Sequence, residues 1–489
     1  MAKQCLKFII TAAFLMIFNT SLQAQGAADV LRYSLQYPSY DPVSLVTPGV
    51  SDATGFGSFQ ENPAVTALFD ESFFSFSLSD QYVSEDGTFR GNVTDFDNNQ
   101  VSVGNIGFVY KVPTQQGKLT IGGGYSQSHD FNRALAVTGR NNQSTITDSF
   151  ISTPDDSLFF AAFDAFAIDN VDPDDSSSEV ASIFRVDSPF QGIDQTSELT
   201  ERGVLGEFSA FIATEFLKDL VVGASIGVIS GDYEFRRDFL ESDTQNDYET
   251  QFEDENGNLT GVDNILVEDR IDASFAGFSL RFGAVYQLTP NFTIGGSYQF
   301  RNVLNVEEEF NTAITNTLDD GFQFFDDAPG AFEYQIVRPA RANVGITAKD
   351  LAGVTISASA ERVAYSQGRI EFNEIDLQDA ENFENNIVES NLEDVVNLRF
   401  GLEYKITDQF IPRIGYAYFP SPTRNVDAER QFFSGGFTAE VSEDVNFNIG
   451  AQLGVWQDEN TLYTSDFGDE FAQEDVMHLN IMGGFTFNF

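Results

Sequence analysis

A two-residue rhythm constrains this chain more than any other feature. In LNIMGGFTFNF, Leu479, Ile481, Gly483, Phe485, Phe487 and Phe489 share one face, while Asn480, Met482, Gly484, Thr486 and Asn488 share the other. Successive side chains of a strand point to opposite sides, so such a segment can bury only one of its faces in apolar surroundings. The alternation returns in VNFNIGAQLGVW from Val445, VNLRFGLEYKI from Val396, FSLRFGAVYQL from Phe278 and NFTIGGSYQFRN from Asn291. After residue 25 no unbroken apolar run reaches the ~18 residues that mark a spanning helix. Two all-β architectures remain. In a soluble sandwich the polar face meets water; in a transmembrane barrel it lines a wet lumen.

The connections separate them. Short turns near residues 112, 217–220, 288–291, 349–353, 406–409 and 441–445 alternate with longer acidic stretches at about 131–200, 240–270, 313–330, 376–392, 420–428 and 458–474. Tight turns at one end and long loops at the other are the construction of an outer-membrane barrel. Fourteen strand-like segments lie between residues 73 and 489, an even number, as a single-chain bacterial barrel requires. The expected fold is therefore all-β, a 14-stranded antiparallel transmembrane β-barrel over residues 71–489. The acidic stretches become its extracellular loops.

The beginning of the chain agrees. Lys3 and Lys7 precede the apolar run FIITAAFLMIF and a small, polar close at SLQAQ, the pattern of a secretory signal peptide over residues 1–24. Cys5 is the chain's one cysteine and falls in this leader, so the exported part must hold together without disulfides. Acidic residues number 75 against 26 basic ones, a net charge of −49, which repels polyphosphate and argues against a nucleic-acid partner. The partner this pattern implies is the outer-membrane lipid bilayer. Divalent cations are a further candidate partner at the acidic loops, since clustered carboxylates suit calcium or magnesium. DENGNLTGVDNI opens like a calcium loop, but Leu259 and Ile265 stand where such a loop needs glycine and glutamate.

Motifs for catalysis or cofactors are not found. His129 and His478 have no metal-ligand spacing, IGGGY at 121–125 sits inside a strand pattern, and neither GxSxG nor HExxH occurs. The chain reads as a non-enzyme without a cofactor. Arginine is the informative residue. By strand parity Arg281, Arg301, Arg341, Arg399 and Arg413 point into the lumen with Glu403. A charge facing lipid is costly, so inward placement is expected of any barrel, and a lumenal ion-pair network is the plain reading. The functional reading makes one or two of these arginines a fork for a ligand carboxylate.

ENPA at 61–64, preceded by a loose N-terminal segment and followed by fourteen strands, resembles the FadL/TodX family of outer-membrane transporters for long-chain fatty acids and hydrophobic compounds. The resemblance is closest over VNLRFGLEYKITDQFIPRIGYAYFPSPT, residues 396–423, and continues through residues 432–455. It implies an N-terminal hatch, or plug, inside the lumen over residues 25–70, with Asn62, Pro63 and Ala64 as its link to the first strand. It also implies ligand binding in an apolar lumenal pocket, hatch-gated lateral release beside a kinked strand, and residence in the outer membrane of a Gram-negative bacterium. The glycine-rich hatch opening of the family appears only as GFGSF at 55–59, and the acidic loops are longer than the family's. A FadL-like barrel acting as a non-transport partner in protein secretion or outer-membrane assembly is the alternative, which the acidic loops fit slightly better.

Overall fold

The computed structural model describes residues 26–152, 156–172, 175, 177–186, 189–249, 252–253, 259–373, 377–424 and 426–489. The leader expected at 1–24 and the acidic run beginning at Asp254 lie outside them.

Among the described residues one sheet of fourteen antiparallel strands forms the wall and closes on itself. The strands are β1 (Phe73–Phe89), β2 (Asn92–Lys111), β3 (Leu119–Asp130 and Arg133–Asn141), β4 (Ile193–Leu217), β5 (Leu220–Ser242) and β6 (Val262–Thr289). They continue as β7 (Phe292–Gln299 and Asn302–Leu318), β8 (Gln323–Arg338 and Arg341–Leu351), β9 (Val354–Val363 and Arg369–Phe372) and β10 (Val395–Tyr404). The last four are β11 (Phe410–Phe419), β12 (Arg430–Ser442), β13 (Val445–Ser465) and β14 (Gly468–Asn488). Closure is the β1–β14 ladder, in register from Phe73 opposite Asn488 to Thr88 opposite Gln473. A closed ladder pairs every strand's backbone groups within the wall, which hydrocarbon demands.

The alternation does what it promised. Phe74, Phe108, Ile212, Ile226, Phe278, Val344, Ile414 and Phe485 are exposed on the outside, forming an apolar band, while Ser75, Thr120, Ser225, Ser279, Thr347 and Asn480 are buried within. One end carries the short connections, between 111 and 119, 217 and 220, 289 and 292, 351 and 354, 404 and 410, and 442 and 445.

At the other, far end the strands run well into stretches expected to be loops. β1 and β2 meet in a two-residue turn at Arg90 and Gly91, with φ of 50° and 86°, the left-handed pair that a tight hairpin needs. The expected loop at 313–330 is a turn at 319–322, and that at 458–474 is a turn at 466–467. Among the described residues the longer connections fall within 142–192, 243–261, 373–394 and 420–429, with the helix Gln378–Asn391 inside the third. The reason is environmental. Beyond the bilayer the outer face of a strand meets water, so the outward apolar residues that mark the spanning part give way to polar ones while the ladder continues.

Four strands are broken. β3 is interrupted at 131–132, β7 at 300–301, β8 at 339–340 and β9 at 364–368. The β7 and β8 breaks face each other, with Asn302 opposite Arg338 above them and Gln299 opposite Arg341 below.

The lipid band and the far-end strand extensions should respond differently to charge. Phe278→Arg, in the outward band, is expected to cost about 2–4 kcal/mol in equilibrium unfolding from lipid vesicles. Phe325→Arg, equally exposed but on the β8 extension, should move the same measurement by less than about 0.5 kcal/mol.

Candidate functional site

The N-terminal segment lies inside the ring of strands. It contains helix α1 (Ala27–Arg32), helix α2 (Ser58–Glu61) and a 3₁₀ turn (Pro63–Leu68), and residues 38–51 between them are buried throughout. It touches lumenal glycines on strands all round the barrel: Phe56 at Gly107 of β2, Ala64 at Gly223 of β5, Asn62 at Gly283 of β6 and Val50 at Gly295 of β7 and Gly345 of β8. Thr47 at Gly401 of β10, Val46 at Gly415 of β11 and Pro42 at Gly450 of β13 complete the circuit. At Gly283 an added Cβ would stand 1.9 Å from Asn62 Oδ1, so no larger residue lets the segment seat as it does.

Asn62, Pro63 and Ala64 sit on the lumenal side of β5 and β6, near the short-turn end. The Asn62 side chain accepts from the Ala64 N–H at 3.0 Å and donates to the carbonyls of Val50 at 2.7 Å and Ala284 at 3.1 Å. It thus caps the 3₁₀ turn and fastens it to the wall, while Pro63, first in that turn, needs no donor there. Glu61 pairs with Arg399 at 2.8 Å, although burial holds its carboxyl above the usual carboxylate range. Ser51 and Thr347 share a hydrogen bond of 2.7 Å, and Asp52 pairs with Lys349.

The wall itself gives way beside β3. β2 pairs with β3 only from Asn105 to Lys111. Beyond its break, the second half of β3 pairs with β4 alone and packs inside the β1–β2 hairpin, where a Cβ on Gly87 would stand 2.3 Å from the Ala136 carbonyl. The edge of β2 from 92 to 104 therefore faces β4 without a ladder. Side chains close this seam. Gln100 donates to the Gly203 carbonyl and accepts from the Gly203 N–H, both at 3.1 Å, and Arg202 donates to Asn98 Oδ1 at 2.8 Å. Gly203 has φ 123°, a backbone state that favours glycine, and its Cβ would meet the Asp232 carbonyl at 2.2 Å. On the outside the seam floors an open pocket of about 830 Å³, lined by Val101, Val103, Ile106, Tyr125, Val204 and Phe208.

Inside, the β3 break is tied to the N-terminal segment by three tyrosines. Tyr33 meets Phe131 edge-on at 5.9 Å, Tyr233 at 5.7 Å and Phe275 at 4.7 Å. Tyr37 is stacked between His129 at 5.4 Å and His478 at 4.8 Å. The Tyr40 hydroxyl donates to Asp130, which lies 3.5 Å from His478. The two histidines that carried no motif are thus packing partners of Tyr37. Around Tyr33 the lumen holds an apolar cluster that includes Phe131, Phe275, Leu304, Val306, Ile336 and Tyr365.

The far end is covered. Residues of 142–186 bury Ile146, Phe150, Ala162 and Phe184 against Phe89 of β1, Phe239 of β5, Ile314 of β7 and Tyr463 of β13, a single apolar core over the mouth. At the short-turn end, Pro42, Phe56, Phe69, Phe73, Arg413 and Asn448 line a cavity of about 410 Å³ between segment and wall.

Of the five arginines expected in the lumen, four are there and paired. Arg281 forms a fork with Glu207 at 2.7 and 2.8 Å, Arg341 meets Glu361 at 3.1 Å, Arg399 meets Glu61, and Arg413 meets Glu403 at 2.8 Å. Arg301 is outside: the break at Phe300–Arg301 exposes both residues, and Asn302 takes the inward position. The matching break at Pro339–Ala340 turns inward an arginine that parity from Arg341 assigns to the outside, Arg338. Proline in VRPARANV was the available signal. Gln100 and Gly203 carried none, because a side chain replacing a ladder pair leaves no periodic mark. Among the described residues no cluster of acidic, histidine or cysteine side chains could hold a metal ion.

Residues 203–479, more than half of the chain, match the family described as outer membrane protein transport protein (OMPP1/FadL/TodX). Among solved structures, the toluene transporter TodX of Pseudomonas putida aligns with a TM-score of 0.55 at 14% identity, covering 93% of this chain and 99% of that one. The toluene transporter TbuX of Ralstonia pickettii aligns at 0.51 and 15% identity, and a FadL homologue of Pseudomonas aeruginosa at 0.52 and 12%, each with the same 93% and 99% coverage. These likenesses show the fold. Among curated proteins no sequence matches significantly.

The seam is testable directly. Gln100→Ala should leave the barrel folded but raise hydrogen exchange of the Gly203 amide about fivefold or more, the equivalent of about 1 kcal/mol for one lost hydrogen bond. Gly283→Val should unseat the N-terminal segment, seen as protease cleavage within residues 26–70 of an otherwise intact barrel.

Proposed function

Because this chain belongs to the FadL/TodX family of outer membrane transport proteins, we propose that it carries hydrophobic compounds such as long-chain fatty acids across the outer membrane of a Gram-negative bacterium. The ligand binds in the lumenal apolar cluster, the N-terminal segment acts as the hatch, and release is sideways through the β2–β4 seam. One observation carries this reading: the wall loses its ladder where β3 turns inward, and the apolar cluster lies on the lumenal side of that turn.

The physical case follows from solubility. A water-filled pore offers an apolar tail no favourable site, whereas each methylene buried in protein contributes about 0.8 kcal/mol. A long tail so held leaves slowly unless a conformational step weakens its site. Tyr33 supplies that step, since it belongs to the hatch and occupies the centre of the cluster. Tyr37 and Tyr40 pass its movement to the β3 break, so the hatch and seam shift together. Lateral release then returns the tail to lipid without a passage through water. A family of transport channels, together with the absence of a catalytic motif in the sequence, supports a non-enzymatic role.

The apolar cover over the far end favours a second reading, a secretion or assembly partner whose outer face is a docking platform. Ligand arriving from outside must displace that cover or pass beside it.

The Ser51→Cys/Thr347→Cys pair tests the first reading, in a mature chain that otherwise has no cysteine. Oxidation should lock the hatch to β8 and reduce cellular uptake of labelled dodecanoate at least about tenfold, with recovery on reduction. Undiminished uptake through the locked protein would contradict hatch gating. Normal uptake in cells lacking the protein, with exported proteins retained, would support the partner role instead.

A further inference from the structure

Three charged side chains crowd the outer face of the wall beside the seam, and among the described residues no ion pair joins them. Arg202 of β4 stands directly opposite Glu234 of β5, and Asp232 lies opposite Val204, the next outward position. All three charged residues are exposed. Directly opposed residues have Cβ atoms about 5 Å apart, within reach of an arginine. Arg202 nevertheless turns the other way, across the seam, and donates to Asn98 Oδ1 at 2.8 Å. Other outward arginines at this level do close onto carboxylates, Arg236 onto Asp272 at 2.6 Å and Arg270 onto Glu268 at 2.9 Å. Among the described residues Asp232 and Glu234 accept no side-chain hydrogen bond.

These charges rim the far end of the pocket that the seam floors. Below them an apolar groove runs toward the short-turn end over Val101, Val103, Ile106 and Phe208, exposed by 66, 37, 40 and 60%. Phe208 shares the outward row of β4 with Ile212 of the lipid-facing band, so the groove opens into hydrocarbon and an acyl chain covers it. Charge decides which lipid that chain belongs to. A guanidinium matches a phosphate as a fork. Two carboxylates beside it disfavour an anionic headgroup and call for a cation with N–H donors. A choline group offers them no N–H. A phosphoethanolamine head carries both complements, a phosphate and a primary ammonium joined by a short link.

We propose that the groove outside the β2–β4 seam holds a phosphatidylethanolamine molecule of the bilayer. Its phosphate lies on Arg202, its ammonium on Asp232 and Glu234, and one acyl chain along Val101, Val103, Ile106 and Phe208. The site needs only a wall embedded in lipid, and it stands whether or not the barrel carries hydrophobic compounds. A lipid so placed keeps water from the hydrogen bonds of Gln100 with Gly203 and of Arg202 with Asn98. Hydrogen bonds shielded from water are electrostatically stronger, so the lipid secures the part of the wall that has no ladder.

The test is native mass spectrometry of the full-length mature protein, released from nanodiscs of equal parts phosphatidylethanolamine, phosphatidylcholine and phosphatidylglycerol. Wild type should retain phosphatidylethanolamine at least about fivefold over either competitor, as charge-assisted hydrogen bonds at both ends of the head imply. Asp232→Asn combined with Glu234→Gln should bring phosphatidylcholine to within about twofold of phosphatidylethanolamine. Arg202→Gln should lower retention of phosphatidylethanolamine at least about fivefold, and Arg202→Lys should restore part of it. Glu309→Gln, an outward carboxylate on β7 away from the groove, should leave the preference intact. If Arg202→Gln fails to give the heat-modifiable folded band, the carboxylate pair decides the matter alone. Equal retention of phosphatidylglycerol by wild type, or a phosphatidylethanolamine preference that survives the double substitution, would overturn the site. Displacement of the phosphatidylethanolamine by lipid A at equal concentration would overturn it as well, by giving the groove to a different lipid.

Discussion

Everything in this molecule follows from the need to pair backbone groups where no water is available. Hydrocarbon accepts only a closed ladder, and the β1–β14 pairing supplies it along sixteen successive registers. Against that requirement the free edge of β2 is the exception that gives the barrel its character. Opening a ladder in the wall exposes donors and acceptors, and here Gln100 presents an amide that imitates a strand neighbour to Gly203. A side-chain amide is held by rotatable bonds. It can let go without unzipping a strand, which makes the seam separable at a cost near that of a few hydrogen bonds.

The lumen is organised by the same economy of contact. A polar inner wall could hold water, yet the glycines on eight strands let a backbone segment approach at ordinary contact distance. The segment's own polar groups are then satisfied by the wall: Asn62 by Ala284, Ser51 by Thr347, Asp52 by Lys349 and Glu61 by Arg399. Such ties are numerous and individually modest, as the proposed movement of the segment requires. The aromatic contacts of Tyr33, Tyr37 and Tyr40 differ in purpose, because all three end on residues 129–131, where β3 leaves the wall. Segment and seam are thereby joined by direct contacts.

Much of this was legible in the sequence. The alternation of LNIMGGFTFNF and its relatives, with the short turns, gave the barrel and its strand number, and Asn62-Pro63 marked a place where a ladder cannot pass. Legibility failed where environment or geometry breaks the two-residue period. Residues 458–465 and 468–474 are strand although they read as an acidic loop, because beyond the bilayer the outer face of β13 and β14 meets water and carries polar residues while the inner face packs on the apolar cover. Arg301 and Arg338 exchanged sides because breaks in β7 and β8 shift the parity on which inward placement was reckoned. The tyrosine–histidine stack left no trace, since it joins residues about ninety and four hundred and forty positions apart, 37 with 129 and 478.

The central claim is a route, from the lumenal cluster out through the wall between β2 and β4. It is read most directly by photo-crosslinking with a fatty acid that carries a diazirine at the end of its tail, followed by mapping of the adducts. The account expects adducts on Tyr33, Phe131 or Phe275 inside and on Val101, Val103 or Phe208 at the seam. Adducts confined to the far-end cover or to the cavity beside Arg413, with none at the seam, would contradict it.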